Sequence, residues 1–346
     1  MALNQELREQ DRLKDYLTPK LKDYIFDELS ASYLQKAGVQ EIMTGVPVPF
    51  HREDLASRSA STLMLASNMA FVIGCDPSFQ YRDNYLAYIE KTFGKDFAKP
   101  LVSQGADYAK KEDYLSACIL FRAAILVDPS FPDAVFCYGR ACHDAYSSAE
   151  DREEDFVGLF KAEALKCFEQ YTMMAPEDDM GYYYLGYAYL NLGLYMKTKL
   201  TFDSFLRLSE HGELRAEVAK LQEKLEEPLK IEEGTNCVLS GRFESGIEIL
   251  SRYEEDERFN TWWPLWYYLG TAYRGLGDGD QAIRCFLRVL QYSPSNTEAM
   301  EQLEGLYLAA GEQAKSEKYH AKIGVVRRNQ EEDRELRRRE RGQTLS

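Results

Sequence analysis

The side chains of this 346-residue sequence that could do acid–base, nucleophilic or metal chemistry are four histidines, seven cysteines and a few runs of carboxylates. Their spacing assembles no site. His51, His143, His211 and His320 show none of the His-x-x-x-His or Cys–His spacings that put two ligands on one helix face. Cys137 and Cys142 fall near one face of a predicted helix, but a zinc site needs four ligands and only His143 and Asp144 stand close by. They read as core thiols. GLGDGD at 275–280 has the glycines of a phosphate loop, yet no strand precedes it and no Lys-Ser/Thr follows, so it reads as a turn between helices. Glu254–Glu255 and Glu177–Asp178–Asp179 lie at predicted helix ends, where solvated charge is ordinary. No catalytic residue, metal or cofactor is expected.

Composition narrows the function classes further. A formal charge of -15 and a pI near 4.9 repel phosphate backbones and anionic lipid over most of the surface, which disfavours broad nucleic-acid binding. Cys75, Cys118, Cys137, Cys142, Cys167, Cys237 and Cys285 are scattered and odd in number, without a Cys-x-x-Cys pair, as expected of reduced buried thiols. The opening MALNQELREQDRLKDY is charged and lacks the apolar stretch of a signal peptide, so the expected address is cytoplasmic. The least charged window, Leu55 to Gly74, is too polar for a membrane span and reads as a buried helix rich in Ala and Met.

What organises the chain is a repeat. WYYLGTAYRGLGDGDQAIRCFLRVLQYSP at 266–294 and YYYLGYAYLNLGLYMKTKLTFDSFLRL at 182–208 share an aromatic, Leu-Gly, Tyr, and a turn containing Gly. This resembles the tetratricopeptide repeat, two antiparallel helices with a period of about 34 residues. In the fullest copy the pattern falls on Trp266, Leu269, Gly270, Tyr273, Ala282, Phe286 and Pro294. An earlier copy runs through Leu101, Gly105, Tyr108, Ala117, Phe121 and Pro129, and one period beyond Gly105 lies Gly139. That third copy resumes on Ala164, Phe168 and Pro176, which requires about 13 extra residues near SSAEDREEDFVG, a loop or a helix extension. Tyr182, Leu185, Gly186, Tyr189 and Phe202 mark the next. Glu213 to Glu226 then reads as an extra amphipathic helix, with Leu214, Val218, Leu221 and Leu225 at helical spacing. A weaker copy through Gly234, Cys237, Gly246 and Leu250 and a terminal one from Thr297 to Ile323 complete the series.

The expected fold is therefore all-α, a right-handed superhelical solenoid of helix hairpins. Its expected divisions are a helical N-terminal cap at 1–97, with VPVPF at 46–50 as an extended, proline-fixed connector and with a degenerate repeat as the alternative reading where DPSF at 76–79 recurs at 128–131, the array at 98–323 and a charged helix or tail at 324–346. Within the tail, Arg327 to Arg341 mixes arginines with acidic residues and reads as a solvated helix; RRR at 337–339 is its basic cluster.

In the resembling family the first helix of each hairpin lines a concave groove that binds peptides. Transferred by register, the groove positions are Phe136, Arg140, His143, Tyr183, Tyr187, Asn191, Tyr267, Thr271 and Arg274, mostly aromatic, with two guanidinium groups. The lysine, arginine and asparagine clamp that some members use for a C-terminal carboxylate is not expected, because Val102 and Ala106 occupy its first positions. The expected function is a scaffold or adaptor for a protein or peptide ligand. Two alternatives are a nucleic-acid-associated factor acting through the Arg-rich tail and a peptide-sensing regulator with a separate effector in residues 1–97.

Overall fold

The structure, a computed structural model, describes residues 3–52, 61–148 and 154–344. It comprises two compact units, Met1–Gly193 with Lys197–Val218, and Leu194–Met196 with Ala219–Ser346. Apart from one two-stranded sheet in the first, both are built of helix hairpins. No helix among the described residues is long and apolar enough to cross a membrane.

The first unit opens with α1 (Leu3–Glu9), α2 (Lys14–Leu17), strand β1 (Tyr24–Glu28), α3 (Ala31–Ala37), α4 (Gln40–Met43) and strand β2 (Pro47–His51). There follow α5 (Thr62–Cys75), α6 (Arg82–Phe93), α7 (Ala98–Lys110), α8 (Tyr114–Val127), α9 (Pro132–Ser147), α10 (Glu154–Met174), α11 (Asp179–Leu190) and α12 (Tyr195–Leu208).

Helix α8 organises this unit. Its sequence, YLSACILFRAAILV, is apolar nearly all round, and such a helix must be covered on every side. Every residue from Ser116 to Leu126 is buried. Helices α5, α7 and α9 pack on it, and so do α1 and α2, where Leu3, Leu7, Leu13 and Leu17 are buried. One charge remains inside: Arg122 has no exposed surface, and its guanidinium pairs with Asp11 in the turn after α1. The same N-terminal segment is tied down by Lys14 to Asp76 at 2.9 Å and Lys20 to Asp113 at 3.0 Å. Asp113 also caps α8, accepting the Ser116 N–H at 3.1 Å and its hydroxyl at 2.7 Å. Partial burial alone would raise the Asp113 carboxyl, but these Ser116 and Lys20 contacts hold it below the usual range.

The expected N-terminal cap needs one correction. VPVPF is not a free connector: Pro47–His51 pairs antiparallel with Tyr24–Glu28, and Val48 is fully buried. Two prolines in five residues masked the strand, since proline is tolerated in a sheet only where its missing N–H faces away from the partner. The expected buried helix over Leu55 to Gly74 begins among residues 53–60, which lie outside the described residues; the described helix is Thr62–Cys75.

The glycine of each Leu-Gly pair marks where the second helix of its hairpin presses a side chain onto the first. A Cβ at Gly105 would lie 2.6 Å from the Phe121 ring, one at Gly139 2.9 Å from Cys167 and Phe168, and one at Gly270 3.1 Å from Cys285 and Phe286. Gly186 meets Phe202 in the same way. The extra residues of the third copy partly lengthen its second helix: α10 has 21 residues where α8 has 14. Residues 149–153 of that stretch lie outside the described residues.

The expected extra helix is α13 (Gly212–Glu223). The second unit then contains the hairpins α14 (Glu226–Leu239) with α15 (Phe243–Leu250), α16 (Trp263–Gly275) with α17 (Gly279–Tyr292), and α18 (Thr297–Ala309) with α19 (Gln313–Thr344). Leu265, Leu269, Ala272, Ala282, Phe286 and Val289 fill the centre of its core. GLGDGD is the α16–α17 turn: Gly277 takes φ +80, and Asp278 caps α17 through the Gln281 N–H at 3.1 Å. The charged segment after Ile323 continues α19 without a break, while the side chains of RRR at 337–339 lie outside the described residues.

Gly305 differs from the slot glycines. It lies inside α18, and a Cβ there would meet nothing within 4 Å, so Gly305→Ala keeps the helix and removes only unfolded-chain entropy. A gain of about 0.5–1 kcal/mol in chemical denaturation is expected.

Candidate functional site

Six of the nine groove positions belong to the first unit, on α9 and at or just after α11. Phe136, Arg140 and His143 project from α9, whose Gly139 packs on α10 and leaves this stripe half-buried. Phe136 meets Tyr171 with ring centroids 4.7 Å apart and Tyr184 at 5.6 Å. The Arg140 guanidinium lies 4.3 Å above the Tyr184 ring, a cation–π contact, and only 3.9 Å from Asp144, a loose ion pair. Its Nε is buried without a hydrogen-bond partner among the described residues. His143 directs Nδ1 to Asp144 at 3.0 Å and sets its ring against Tyr146 at 5.1 Å.

On α11, Tyr183 and Tyr187 stand edge to face at 5.0 Å, and their rings lean on Phe205 and Phe202 of α12. Both hydroxyls donate to Glu217 of α13, that of Tyr183 at 3.2 Å. Burial first, then the Glu217 carboxylate, pushes both phenols above their ordinary range, so they remain donors. Asn191 is exposed just past α11.

The other three positions lie in the second unit and offer less. Tyr267 sets its ring on Phe286 at 5.6 Å, while the Thr271 hydroxyl turns back to donate to the Tyr267 carbonyl at 2.9 Å. Arg274 is exposed and donates to Gln302 of α18. This unit also has a cleft of about 220 Å³ lined by Tyr195, Pro228, Ile231, Arg258, Phe259 and Trp262.

Register alone missed three of these residues. Tyr184 is central to the first-unit tract, stacked on Phe168 at 5.5 Å beneath Arg140. A run of three tyrosines on one helix must turn successive rings to different neighbours, which is the signal that could have found it. Glu217 and Trp262 left no comparable trace, because α13 and the 251–262 connection fall outside the repeat.

The chemically suggestive groups are engaged in structure. Cys142 lies sulfur to sulfur with Cys118 at 3.8 Å, both buried, whereas Cys137 is half-buried and burial pushes its thiol up to about 11. Asp178 caps α11 and accepts the Tyr171 hydroxyl at 2.8 Å. Among the described residues no group of three His, Cys, Asp or Glu side chains could hold a metal.

Residues 263–296 match the tetratricopeptide repeat family, so the chain carries that repeat at α16–α17, where its pattern is fullest. The matched repeat is a protein-interaction scaffold. No curated protein matches the sequence. Among solved structures the chain is similar to the P58(IPK) TPR domain, at 14% identity over 90% of this chain and 79% of that one, with a TM-score of 0.46. It is also similar to MamA (41-end) from Desulfovibrio magneticus RS-1, at 16% identity over 56% and 96%, TM-score 0.30. A third is YrrB, described as a TPR protein with an unusual peptide-binding site, at 14% identity over 62% and 96%, TM-score 0.30.

Proposed function

We propose that this chain binds a protein or peptide partner on the half-buried aromatic tract of α9 and α11. The observation that carries this reading is the Arg140 guanidinium stacked on Tyr184, with Phe136, His143, Tyr183 and Tyr187 around it. Rings and guanidinium groups supply broad contact area at small cost in side-chain entropy, the chemistry of interface anchors. Arg140 is held only loosely by Asp144, so its remaining hydrogen-bonding capacity suits a carbonyl or carboxylate of the partner.

The test is capture of partners from native lysate by the tagged chain and by the Arg140→Ala, Tyr183→Ala, Tyr187→Ala triple variant, compared by quantitative mass spectrometry. A loss of about tenfold or more for the main partner is expected, with helical circular dichroism unchanged. Undiminished capture by a folded triple variant would overturn the assignment.

A further inference from the structure

We propose that the outer edge of β1 accepts an extended segment of a partner protein as a third strand, and that this segment sets two consecutive apolar residues beside two consecutive basic ones. Across the sheet, Tyr24 stands opposite His51, Ile25 opposite Phe50, Phe26 opposite Pro49, Asp27 opposite Val48 and Glu28 opposite Pro47. One step before, Arg52 donates its N–H to the Asp23 carbonyl at 3.0 Å. Antiparallel pairs alternate between bonded and non-bonded, so Ile25 and Asp27 turn their backbone groups to β2, while Tyr24, Phe26 and Glu28 turn theirs outward.

The opposite edge of the sheet is closed. The outward residues of β2 are Pro47, Pro49 and His51, and the two prolines have no N–H to give. Their carbonyls are already satisfied: Pro47 accepts from the Tyr85 hydroxyl at 2.6 Å and Pro49 from the Asn68 amide at 3.3 Å. The sheet therefore grows only at β1. That strand has no proline, lysine or bulge to discourage pairing, and among the described residues the sheet contains no third strand.

The edge offers a donor and an acceptor at Phe26, followed by the carbonyl of Glu28. The Tyr24 N–H goes to the Leu21 carbonyl, and the Glu28 N–H to the Asp27 carboxylate at 2.8 Å. Ile25 is 43% and Phe26 39% exposed, apolar surface unusual on so short a strand, and Asp27 and Glu28 are exposed beside them. A second copy is a poor occupant, because it would bring these carboxylates together between chains of net charge -15. A strand with Lys or Arg opposite the acids and apolar side chains beside Ile25 and Phe26 fits instead.

The test uses the full chain and three synthetic eight-residue probes: Val-Val-Lys-Lys repeated twice, the same peptide N-methylated on alternate amides, and Val-Val-Glu-Glu repeated twice. Binding of the Val–Lys peptide is expected by calorimetry, at least about tenfold tighter than either control. Phe26→Pro removes the outward N–H together with the ring and should lose at least about tenfold in affinity, while Phe26→Val, which loses the ring but keeps the N–H, should lose markedly less; circular dichroism verifies both folds. Equal affinities for the two variants, no difference among the peptides, or no binding would overturn the proposal. So would a dimer in sedimentation that Phe26→Pro abolishes, since the edge would then belong to a second copy.

Discussion

Asp11→Ala is expected to destabilise the first unit by about 3–5 kcal/mol, the range for leaving one partner of a buried ion pair uncompensated. Arg122 has no exposed surface, and its Nε and Nη1 find no hydrogen-bond partner among the described residues. Its compensation is electrostatic, from Asp11 in direct contact and from Glu163, which in turn accepts the Tyr138 hydroxyl at 3.0 Å. Burial raises the Glu163 carboxyl, and the contact of that carboxylate is with Tyr138, so Asp11 is the counter-charge in direct contact with the guanidinium. Removing Asp11 therefore leaves a cation in a helix core with too little to balance it. Urea denaturation followed by circular dichroism gives the loss. Limited proteolysis should then find its first new cleavage between α1 and α2, because the segment has lost its innermost anchor. The double replacement of Asp11 by Ala and Arg122 by Met should recover most of the stability, since an apolar side chain of similar length suits α8. If Asp11→Ala alone unfolds at the wild-type midpoint, the pair contributes nothing and the segment is held by its leucines.

The second large effect is steric. Gly74 sits near the end of α5, where the helix crosses α8, and a Cβ there would overlap the backbone carbonyl of Ile119. A ring or side-chain end gives way by rotating; a backbone carbonyl moves only with its helix. Gly74→Ala should therefore cost at least the upper part of the roughly 1–3 kcal/mol typical of overpacked cores, despite the better helix propensity of alanine. The same substitution at Gly305 is expected to stabilise, so the two variants separate packing from propensity. A melting temperature unchanged by Gly74→Ala would mean that α5 can shift off α8 freely, contrary to the close packing found there.

Repeat register was legible because it rests on contacts local in sequence. In three copies the glycine of the first helix and the phenylalanine of the second are 16 residues apart, as in Gly105 with Phe121, Gly186 with Phe202 and Gly270 with Phe286. That constant spacing is the ring lying in the glycine slot. It survives even where the third copy is lengthened, since Gly139 still meets Phe168 across the insertion. The groove positions were less legible. Register places Tyr183 and Tyr187 on one stripe, but which neighbour each hydroxyl meets depends on α13, a helix outside the repeat. Tyr184, adjacent in sequence and central in the tract, was missed for a related reason: its ring is placed by Phe168 and Arg140, which belong to the preceding hairpin.

By itself, then, the sequence determined the helical hairpins and their glycine and aromatic slots. Each of these is set by periodicity within a few turns of helix or by one interhelical step. Only the tertiary structure decided that β1 and β2 pair, that Asp11 reaches Arg122 from a distant part of the chain, and that Arg140 lies on Tyr184. Those contacts join segments with no shared period, and the energy that selects them comes from burial and charge compensation in the folded core, which a one-dimensional pattern does not record.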